Sequence, residues 1–255
     1  MNLNPKFSII TPSFNQGNFI EQTILSVQAQ HYPNYEHIIM DGGSKDETLD
    51  VLNKYSNVII YRSEEDRGQV HAINKGLALA SGDIIGFINS DDYYLPNAFH
   101  KVNYILREEN NYWLTADSII VDRNDKIIHP FIRNYKNFLR GMSSFELIKF
   151  TNYICQPSTF WKAELIKDVG VFNESYNYAF DYDYWIRLHE QYEPVVLNDA
   201  ISAFRIHSES KGNRFFFNQF DEEIKILKVR DVKKLTCLIH RISNLFIKLI
   251  YLIIK

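Results

Sequence analysis

Five apolar residues, Ile84-Ile85-Gly86-Phe87-Ile88, run directly into Asn89-Ser90-Asp91-Asp92. A short apolar run of this kind, rich in β-branched residues, reads as a strand buried inside a parallel sheet. In open α/β sheets ligands bind outside the carboxyl ends of the strands. Asp91 and Asp92 therefore fall where a ligand goes. Two adjacent carboxylates repel one another unless a cation joins them. Oxygen donors of this type suit Mg²⁺ or Mn²⁺ completed by substrate phosphates. Taken alone, the pair is equally a polar turn that Pro96 closes.

The preceding chain supplies a context for that strand. Lys6 to Thr11 reads as a first strand, followed by the polar turn Pro12-Ser13-Phe14-Asn15. Phe19 to Gln30 places Ile20, Ile24 and Val27 at helical spacing. Tyr35 to Met40 is a second strand, closed by Asp41-Gly42-Gly43-Ser44-Lys45-Asp46. Glu47 to Tyr55 is a helix that Ser44 or Asp46 can cap. Val58 to Tyr61 is a third strand, and Val70 to Ala80 a third helix behind the loop Asp66-Arg67-Gly68-Gln69. Strands alternating with helices imply βαβ units and a mainly parallel sheet. The polar strand ends then share one crevice with Asp91 and Asp92.

The second half is less regular. Tyr112 to Val121 and Lys126 to Pro130 read as strands joined by a turn at Asp122–Asp125. Tyr135 to Phe150 is helical with a break near Gly141, and Gln156 to Trp161 is a short strand. Ala163 to Val169 and Phe180 to Tyr192 are helices, and Val195 to Arg205 is a strand that ends at Arg205-Ile206-His207. From Lys225 onward eight residues are basic and only Asp231 is acidic. Leu235 to Ile254 is strongly apolar, but His240, Arg241 and Lys248 interrupt it. Those charges argue against a spanning helix and for an amphipathic helix at a membrane surface, with packing on the domain as the alternative.

Composition narrows the function. The net charge of −3 argues against a polyanion binder, so nucleic acid is not an expected partner. Cys155 and Cys237 match no zinc spacing and read as free thiols in a reducing compartment. Met1 to Lys6 lacks the apolar run of a signal peptide, which gives a cytoplasmic expectation.

Ser8-Ile9-Ile10-Thr11-Pro12-Ser13-Phe14-Asn15, Asp41-Gly42-Gly43-Ser44-Lys45-Asp46-Glu47-Thr48 and Asn89-Ser90-Asp91-Asp92 resemble the family 2 glycosyltransferases of the GT-A fold. Asp66-Arg67-Gly68-Gln69, Gln156-Pro157-Ser158, Val169 to Ser175 and Asp181-Tyr182-Asp183-Tyr184-Trp185 extend the likeness, which runs from about residue 6 to 210. It implies a Rossmann-like GT-A domain over residues 1–215, with a nucleotide-sugar half to about 100 and an acceptor half beyond it. Residues 216–255 then form the helical tail.

The resemblance also implies an inverting transferase that moves a hexosyl or N-acetylhexosaminyl group from a UDP-sugar to an acceptor hydroxyl with Mn²⁺ or Mg²⁺. Thr11, Pro12, Ser13, Asn15, Gly42, Arg67, Asn74, Asn89 and Ser90 would bind the nucleotide, and Asp41 would accept from the uracil imide N–H. Arg205 is an alternative to Arg67 as diphosphate clamp. Asp91 matches the metal-binding aspartate of the DxD motif, whose first position here is Asn89; Asp92 and His207 complete the metal set. Asp181 matches the general base, with Asp183 as second choice; at i and i+2 of one helix they point to different sides. Gln156, Tyr182 and Trp185 are acceptor-binding candidates, as are Trp161 and Tyr178. The expected acceptor is a saccharide on polyprenyl diphosphate, used in surface polysaccharide assembly at the inner face of the cytoplasmic membrane. The tail would be the contact, and its removal after about Lys234 would leave a soluble, active enzyme. A non-catalytic nucleotide-sugar binding module is the main alternative. A nucleotidyltransferase is disfavoured, because Thr11 to Gly17 holds no Lys or Arg for a triphosphate.

Overall fold

The structure, a computed structural model, describes residues 4–211 and 216–254. Its centre is β1 (Phe7–Ser13), buried at every residue because helices cover both faces of the sheet. Successive side chains point to opposite faces. Ile10 packs with Ile85 and Phe87 beneath α3 (Gln69–Leu79), whereas Phe7 and Ile9 join Ile84 and Ile88 on the other side. A Cβ at Gly76 would stand 2.6 Å from Cγ2 of Ile10, so glycine is what lets α3 lie this close to the sheet.

Parallel to β1 run β2 (Tyr35–Asp41), β3 (Ile60–Ser63) and β4 (Ile84–Phe87), as expected from the alternating pattern. Their register sets Ser13 beside Asp41 and Asp41 beside Ser63, which gathers three polar strand ends at one edge. Helices α1 (Ile20–Gln28) and α2 (Thr48–Lys54) close a smaller core around Ile39. Asp46, rather than Ser44, meets the first turn of α2, accepting from the Thr48 amide at 3.1 Å.

Beyond β4 the chain adds β5 (Tyr93–Tyr94), α4 (Ala98–Leu106), β6 (Trp113–Val121), α5 (Pro130–Gly141), α6 (Phe145–Phe150), β7 (Thr159–Lys162), α7 (Ile166–Val169), α8 (Phe180–Gln191) and β8 (Val195–Arg205). The sheet order is β3-β2-β1-β4-β7-β6-β8-β5. As expected it is mainly parallel, with β7 antiparallel to both β4 and β6, and β5 antiparallel to β8 at the edge. Two expected strands change character. Lys126 to Pro130 pairs only through a Val121–Ile127 bridge, since Pro130 already starts α5 with a ring-fixed φ. Gln156 to Ser158 is a 3₁₀ turn before β7, as Pro157 has no N–H for a ladder. The helical break near Gly141 is present: α5 ends there, and Ser144 Oγ caps α6 by accepting from the Leu147 amide at 3.1 Å.

The tail forms α9 (Phe216–Val229) and α10 (Lys234–Ile254). The expected domain boundary at 215 lies outside the described residues. Cys237, His240 and Asn244 bury one face of α10, and Leu235, Leu238, Ile242, Leu245 and Phe246 leave the other exposed. Among the described residues no helix is long and apolar enough to cross a membrane.

Candidate active site

The edge made by β1, β2 and β3 is a tightly bonded turn. Asp41 is 1% exposed and accepts from the amides of Gly43 and Ser44 and from the hydroxyls of Ser44, at 2.5 Å, and Ser63, at 2.6 Å. The carboxylate expected to receive a base is therefore engaged by its own turn. Asn15, in the left-handed region at φ 53°, braces the same turn: its amide donates to Ser44 Oγ and its Oδ1 accepts from Lys45. Thr11 also departs from expectation. It is fully buried, and its Oγ1 lies 2.9 Å from Nε2 of His37, whose pKa burial pushes down to about 3. Pro12, Ser13 and Gly42 remain at the edge. Ser13 Oγ is buried with no hydrogen-bond partner among the described residues. A Cβ at Gly42 would come within 2.9 Å of Asp66 Oδ2 and 3.4 Å of the Phe14 ring. Phe14, 59% exposed, thus offers an aromatic face beside the Asp66 carboxylate, a combination the sequence reading did not single out.

The turn after β4 brings together two residues far apart in the chain. His207 Nε2 lies 3.0 Å from Asp91 Oδ2, and the Phe19 ring packs 4.6 Å from the imidazole. Asp92 points the other way. It is 1% exposed, accepts from the Arg205 amide at 2.8 Å and from Asn89 Nδ2 at 3.1 Å, and burial beside the Asp91 charge pushes its pKa well above the carboxylate range. With Oδ1 taken by the Arg205 amide and Oδ2 by Asn89, this buried carboxyl is engaged in bracing the turn, which corrects its assignment to the metal set. Ser90 is buried as well, its carbonyl accepting from Thr23 Oγ1.

Arg205 is a brace rather than a diphosphate clamp. Its guanidinium donates to the carbonyls of Asp91, Asp122 and Arg123 and to the side chains of Gln22 and Asp125. Among the described residues no three His, Cys, Asp or Glu side chains gather around one point. Asp91 and His207 together offer one oxygen and one nitrogen, a set that fits a divalent ion completed by phosphate oxygens.

Next to this turn opens a cavity of about 600 Å³ lined by Asn89, Gln156, Tyr178, Asp181, Lys211 and Glu223, among others. Asn89 Nδ2 donates to Gln156 Oε1 at 3.1 Å, Gln156 Nε2 donates to the Phe87 carbonyl, and Asn89 Oδ1 accepts from Gln69 Nε2 at 2.7 Å. Gln69 Oε1 in turn accepts from Lys211 Nζ at 3.0 Å. Asp181 sits in the first turn of α8, and burial, reinforced by the Glu223 charge, raises its pKa to about 6. Its partner at i+2, Asp183, is buried on the opposite side, where it pairs with Arg187 at 3.0 Å and Arg230 at 3.7 Å. That excludes Asp183 as the cavity's base.

Five further expectations are corrected. Tyr182 is fully buried with its hydroxyl donating to the Ile148 carbonyl, and Trp185 is fully buried among Phe87, Trp113 and Trp161. Both are core rather than acceptor platform, as is Trp161. Asn74 uses its amide to grip the Phe172 backbone, donating to the carbonyl at 2.9 Å and accepting from the N–H at 3.1 Å. It ties α3 to the loop before α8 and faces no nucleotide. Arg67 is exposed and pairs with Glu174 at 2.7 Å.

The sequence reading missed Gln69, Lys211 and the tail acids. Glu222 accepts from three successive amides, Asn177, Tyr178 and Ala179, at 2.7–2.9 Å, fixing the chain just before Asp181. Only the run of neighbouring acids Asp221-Glu222-Glu223 in a basic tail signalled these roles.

A Rossmann-like sheet whose polar strand ends meet a carboxylate–histidine pair, beside a cavity holding a carboxyl of raised pKa, defines a GT-A fold of the glycosyltransferase class. The family model for Glycosyl transferase family 2 matches residues 8–166, and the chain belongs to that family. It is 30% identical over 241 residues to an uncharacterised glycosyltransferase of Rickettsia prowazekii, covering 91% of this chain and 73% of that protein. A PGL/p-HBAD biosynthesis glycosyltransferase of Mycobacterium tuberculosis is 29% identical over 191 residues, 72% of this chain and 69% of that protein. Among solved structures, S. aureus TarS in complex with UDP-GlcNAc superposes with TM-score 0.69 at 19% identity, covering 91% of this chain and 69% of that one. The mannosyltransferase PcManGT of Pyrobaculum calidifontis, in complex with GDP-Man and Mn²⁺, gives TM-score 0.72 at 18% identity, over 90% and 66%.

Proposed function

We propose that this glycosyltransferase inverts configuration as it moves a hexosyl or N-acetylhexosaminyl group from a UDP-sugar to a hydroxyl of a lipid-linked saccharide. One observation carries the reading. Asn89, at the head of the turn that bears Asp91, and Asp181, on α8, line the same cavity. A donor diphosphate near Asp91, two residues beyond Asn89, would then face an acceptor hydroxyl near Asp181 across that space. The nucleotide would lie on Pro12, Ser13 and Gly42, with Phe14 stacking on the base. Asp91 and His207 would hold Mn²⁺ or Mg²⁺, and that ion, once bound, supplies the positive charge that a departing diphosphate needs.

The chain's own groups do the rest. Asp181 takes the acceptor proton as the hydroxyl attacks the anomeric carbon from the face opposite the diphosphate. A pKa of about 6 suits that task, because the carboxylate is ionised at neutral pH yet still basic. Gln156 is held by Asn89 and Phe87 with its amide in the cavity, where it can order acceptor hydroxyls.

The lipid-linked acceptor rests on the surface that surrounds the cavity. Its wall is partly α5 and α10, whose Tyr135 and Phe246 rings lie 6.5 Å apart. Both helices expose apolar side chains outward: Phe131 and Phe138 on α5, with Met142 just past its end, and Ile242, Leu245 and Phe246 on α10. With the basic excess of the tail, this face suits an anionic bilayer, which we assign as the inner face of the cytoplasmic membrane. The mycobacterial relative named for PGL/p-HBAD biosynthesis is consistent with a cell-surface glycan.

The test is UDP release from a panel of UDP-sugars with and without Mn²⁺, together with flotation on phosphatidylglycerol vesicles. Mn²⁺-dependent release from at least one sugar and binding to anionic vesicles are expected. Saturable binding of a UDP-sugar without turnover on any lipid-linked or soluble saccharide would instead favour the non-catalytic module.

A further inference from the structure

Helix α5 is packed inside out. Its basic residues Arg133, Lys136 and Arg140 recur at spacings of three and four, with His129 four residues before the first of them. At about 100° per residue all four fall within an arc of about 60°. Phe131 and Phe138, with Met142 just past the helix end, occupy the opposite arc. An ordinary surface helix turns its apolar stripe to the core and its charges to water. Here Arg140 is 1% exposed and Arg133 and Lys136 line the cavity, whereas Phe131 and Phe138 are 62% and 65% exposed. The protein does not neutralise the inward charges. Asp117 of β6 is shared by two arginines: its Oδ2 accepts from Nε and Nη2 of Arg133 at 2.8 and 2.5 Å, and its Oδ1 stands 3.5 Å from Nη2 of Arg140. Arg140 spends its other donors on uncharged partners. Nη1 lies 3.3 Å from Cys155 Sγ, Nη2 donates to Asn137 Oδ1, and Nε is buried with no hydrogen-bond partner among the described residues. Lys136 makes no hydrogen bond or ion pair among the described residues, although the charge of Asp181 reaches it.

Elsewhere in the cavity wall the acids Asp181 and Glu223 are matched in number by Lys211 and Lys248. The α5 stripe is left with three cations on one carboxylate, an excess of two positive charges. Cations withdrawn from water without counter-ions are costly, so the stripe suits an anion that arrives with a ligand. The outer face of the same helix says what that anion is carried on. Tyr135 of α5 and Ile247 of α10 both line the cavity, and beyond them the wall passes into the exposed apolar side chains of the two helices. We propose that the basic stripe of α5 holds the phosphate or diphosphate that joins the acceptor saccharide to its lipid, while the lipid chain leaves over the aromatic face of α5 and α10. The proposal rests on the reading of the acceptor as lipid-linked, and adds the chemistry of the linkage and the residues that meet it. A guanidinium fork suits paired phosphate oxygens, and the compact ammonium of Lys136 adds a movable point charge.

The experiment is calorimetric binding to the full chain, with EDTA present so that no divalent ion recruits a diphosphate to Asp91 and His207. Four probes are compared: farnesyl diphosphate, farnesol, inorganic pyrophosphate and a short-chain phosphatidylglycerol. We expect farnesyl diphosphate to bind at least about 10-fold more tightly than each of the others. Lys136→Gln should weaken farnesyl diphosphate about 10-fold and leave farnesol unchanged, and His207→Ala should bind farnesyl diphosphate as wild type does. If Lys136→Gln fails to fold, Arg133→Gln, which leaves Arg140 beside Asp117, reads the same stripe. Farnesol as tight as its diphosphate, or a folded stripe variant with unchanged affinity, overturns the proposal. Pyrophosphate binding as tightly would make this a site for free phosphate, and phosphatidylglycerol binding as tightly a site for bilayer headgroups; either result also overturns it. Binding is read without donor or turnover, so the two readings fail separately. Sugar transfer to a lipid-linked acceptor that goes with unaltered farnesyl diphosphate affinity in Lys136→Gln sinks the stripe alone, whereas the expected binding in a chain that transfers no sugar sinks the transferase reading and keeps the site.

Discussion

The two halves of this molecule are built by different means. In the half that we assign to the donor, β1 to β4 follow one another as strand, helix, strand, and the polar residues at their ends mostly bond to one another. Asp41, Ser44, Ser63 and Asn15 form a closed turn. In the acceptor half the sheet reverses at β7, and the cavity wall is assembled from α5, α8, α9 and α10, segments separated by up to a hundred residues and more. Polar groups there are arranged in an open chain, Asp92–Asn89–Gln69–Lys211, that ends at the cavity. A closed turn makes a rigid platform for a ligand that many enzymes share. An open chain of side chains can be re-tuned by a single change, which suits the half that we propose selects the acceptor.

Substitutions can sharpen this contrast. The largest effect is expected from Asp181→Asn, which should cut sugar transfer by about 10³-fold while donor binding, read by calorimetry, stays as in wild type. The same variant should melt higher at neutral pH. The folded chain holds a proton on Asp181 up to about pH 6, whereas the unfolded chain releases it at ordinary carboxylate pH. Asp181 therefore costs stability as pH rises across that window, by about 1 kcal/mol above it once partial exposure is allowed for. Next comes Asp41→Ala. It strands two amides and two hydroxyls in the closed turn and should lower stability by about 3 kcal/mol in urea unfolding, with donor affinity lost in proportion to the disordered turn. If Asp41→Ala were instead fully stable and lost only UDP affinity, the platform view of the donor half would fail.

Smaller effects are expected at the junction and the surface. Asp91→Ala and His207→Ala should each weaken Mn²⁺-dependent UDP binding about 10-fold, with little change in Mn²⁺-free binding. Arg67→Ala should change stability by less than about 0.5 kcal/mol, since the Arg67–Glu174 pair is largely exposed. A large loss of UDP affinity in that variant would return Arg67 to the donor site.

The same contrast explains what the sequence disclosed. The donor half was legible because hydrophobic period and turn residues act locally: Ile84 to Phe87 is a buried strand, and Asp91 follows it at the strand's carboxyl end. Side-chain direction was not legible. Asp41 and Thr11 carry the right chemistry at the right place, but neighbouring hydroxyls and His37 claim their polar atoms. In α8, Asp181, Tyr182, Asp183 and Trp185 all looked functional, and the helix turns only Asp181 toward the cavity. Glu223 left only a faint sign in the sequence, an acid in the run Asp221-Glu222-Glu223, because its partner His240 lies seventeen positions away on another helix. Of the aromatic candidates Tyr178 lines the cavity, whereas Trp161, Tyr182 and Trp185 failed for a simpler reason. A Trp in a well-packed helix buries more apolar area than almost any other residue, and core packing claims it first.

The account stands most directly on the pH dependence of sugar transfer under saturating donor and Mn²⁺, with Asp181→Asn measured alongside wild type. It predicts a rate that climbs with pH through about 6 and then levels off, as the Asp181 carboxylate is freed of its proton. That limb should vanish in the Asp181→Asn enzyme, together with nearly all activity. A wild-type rate indifferent to pH across this range, or an Asp181→Asn enzyme within tenfold of wild type, would contradict it.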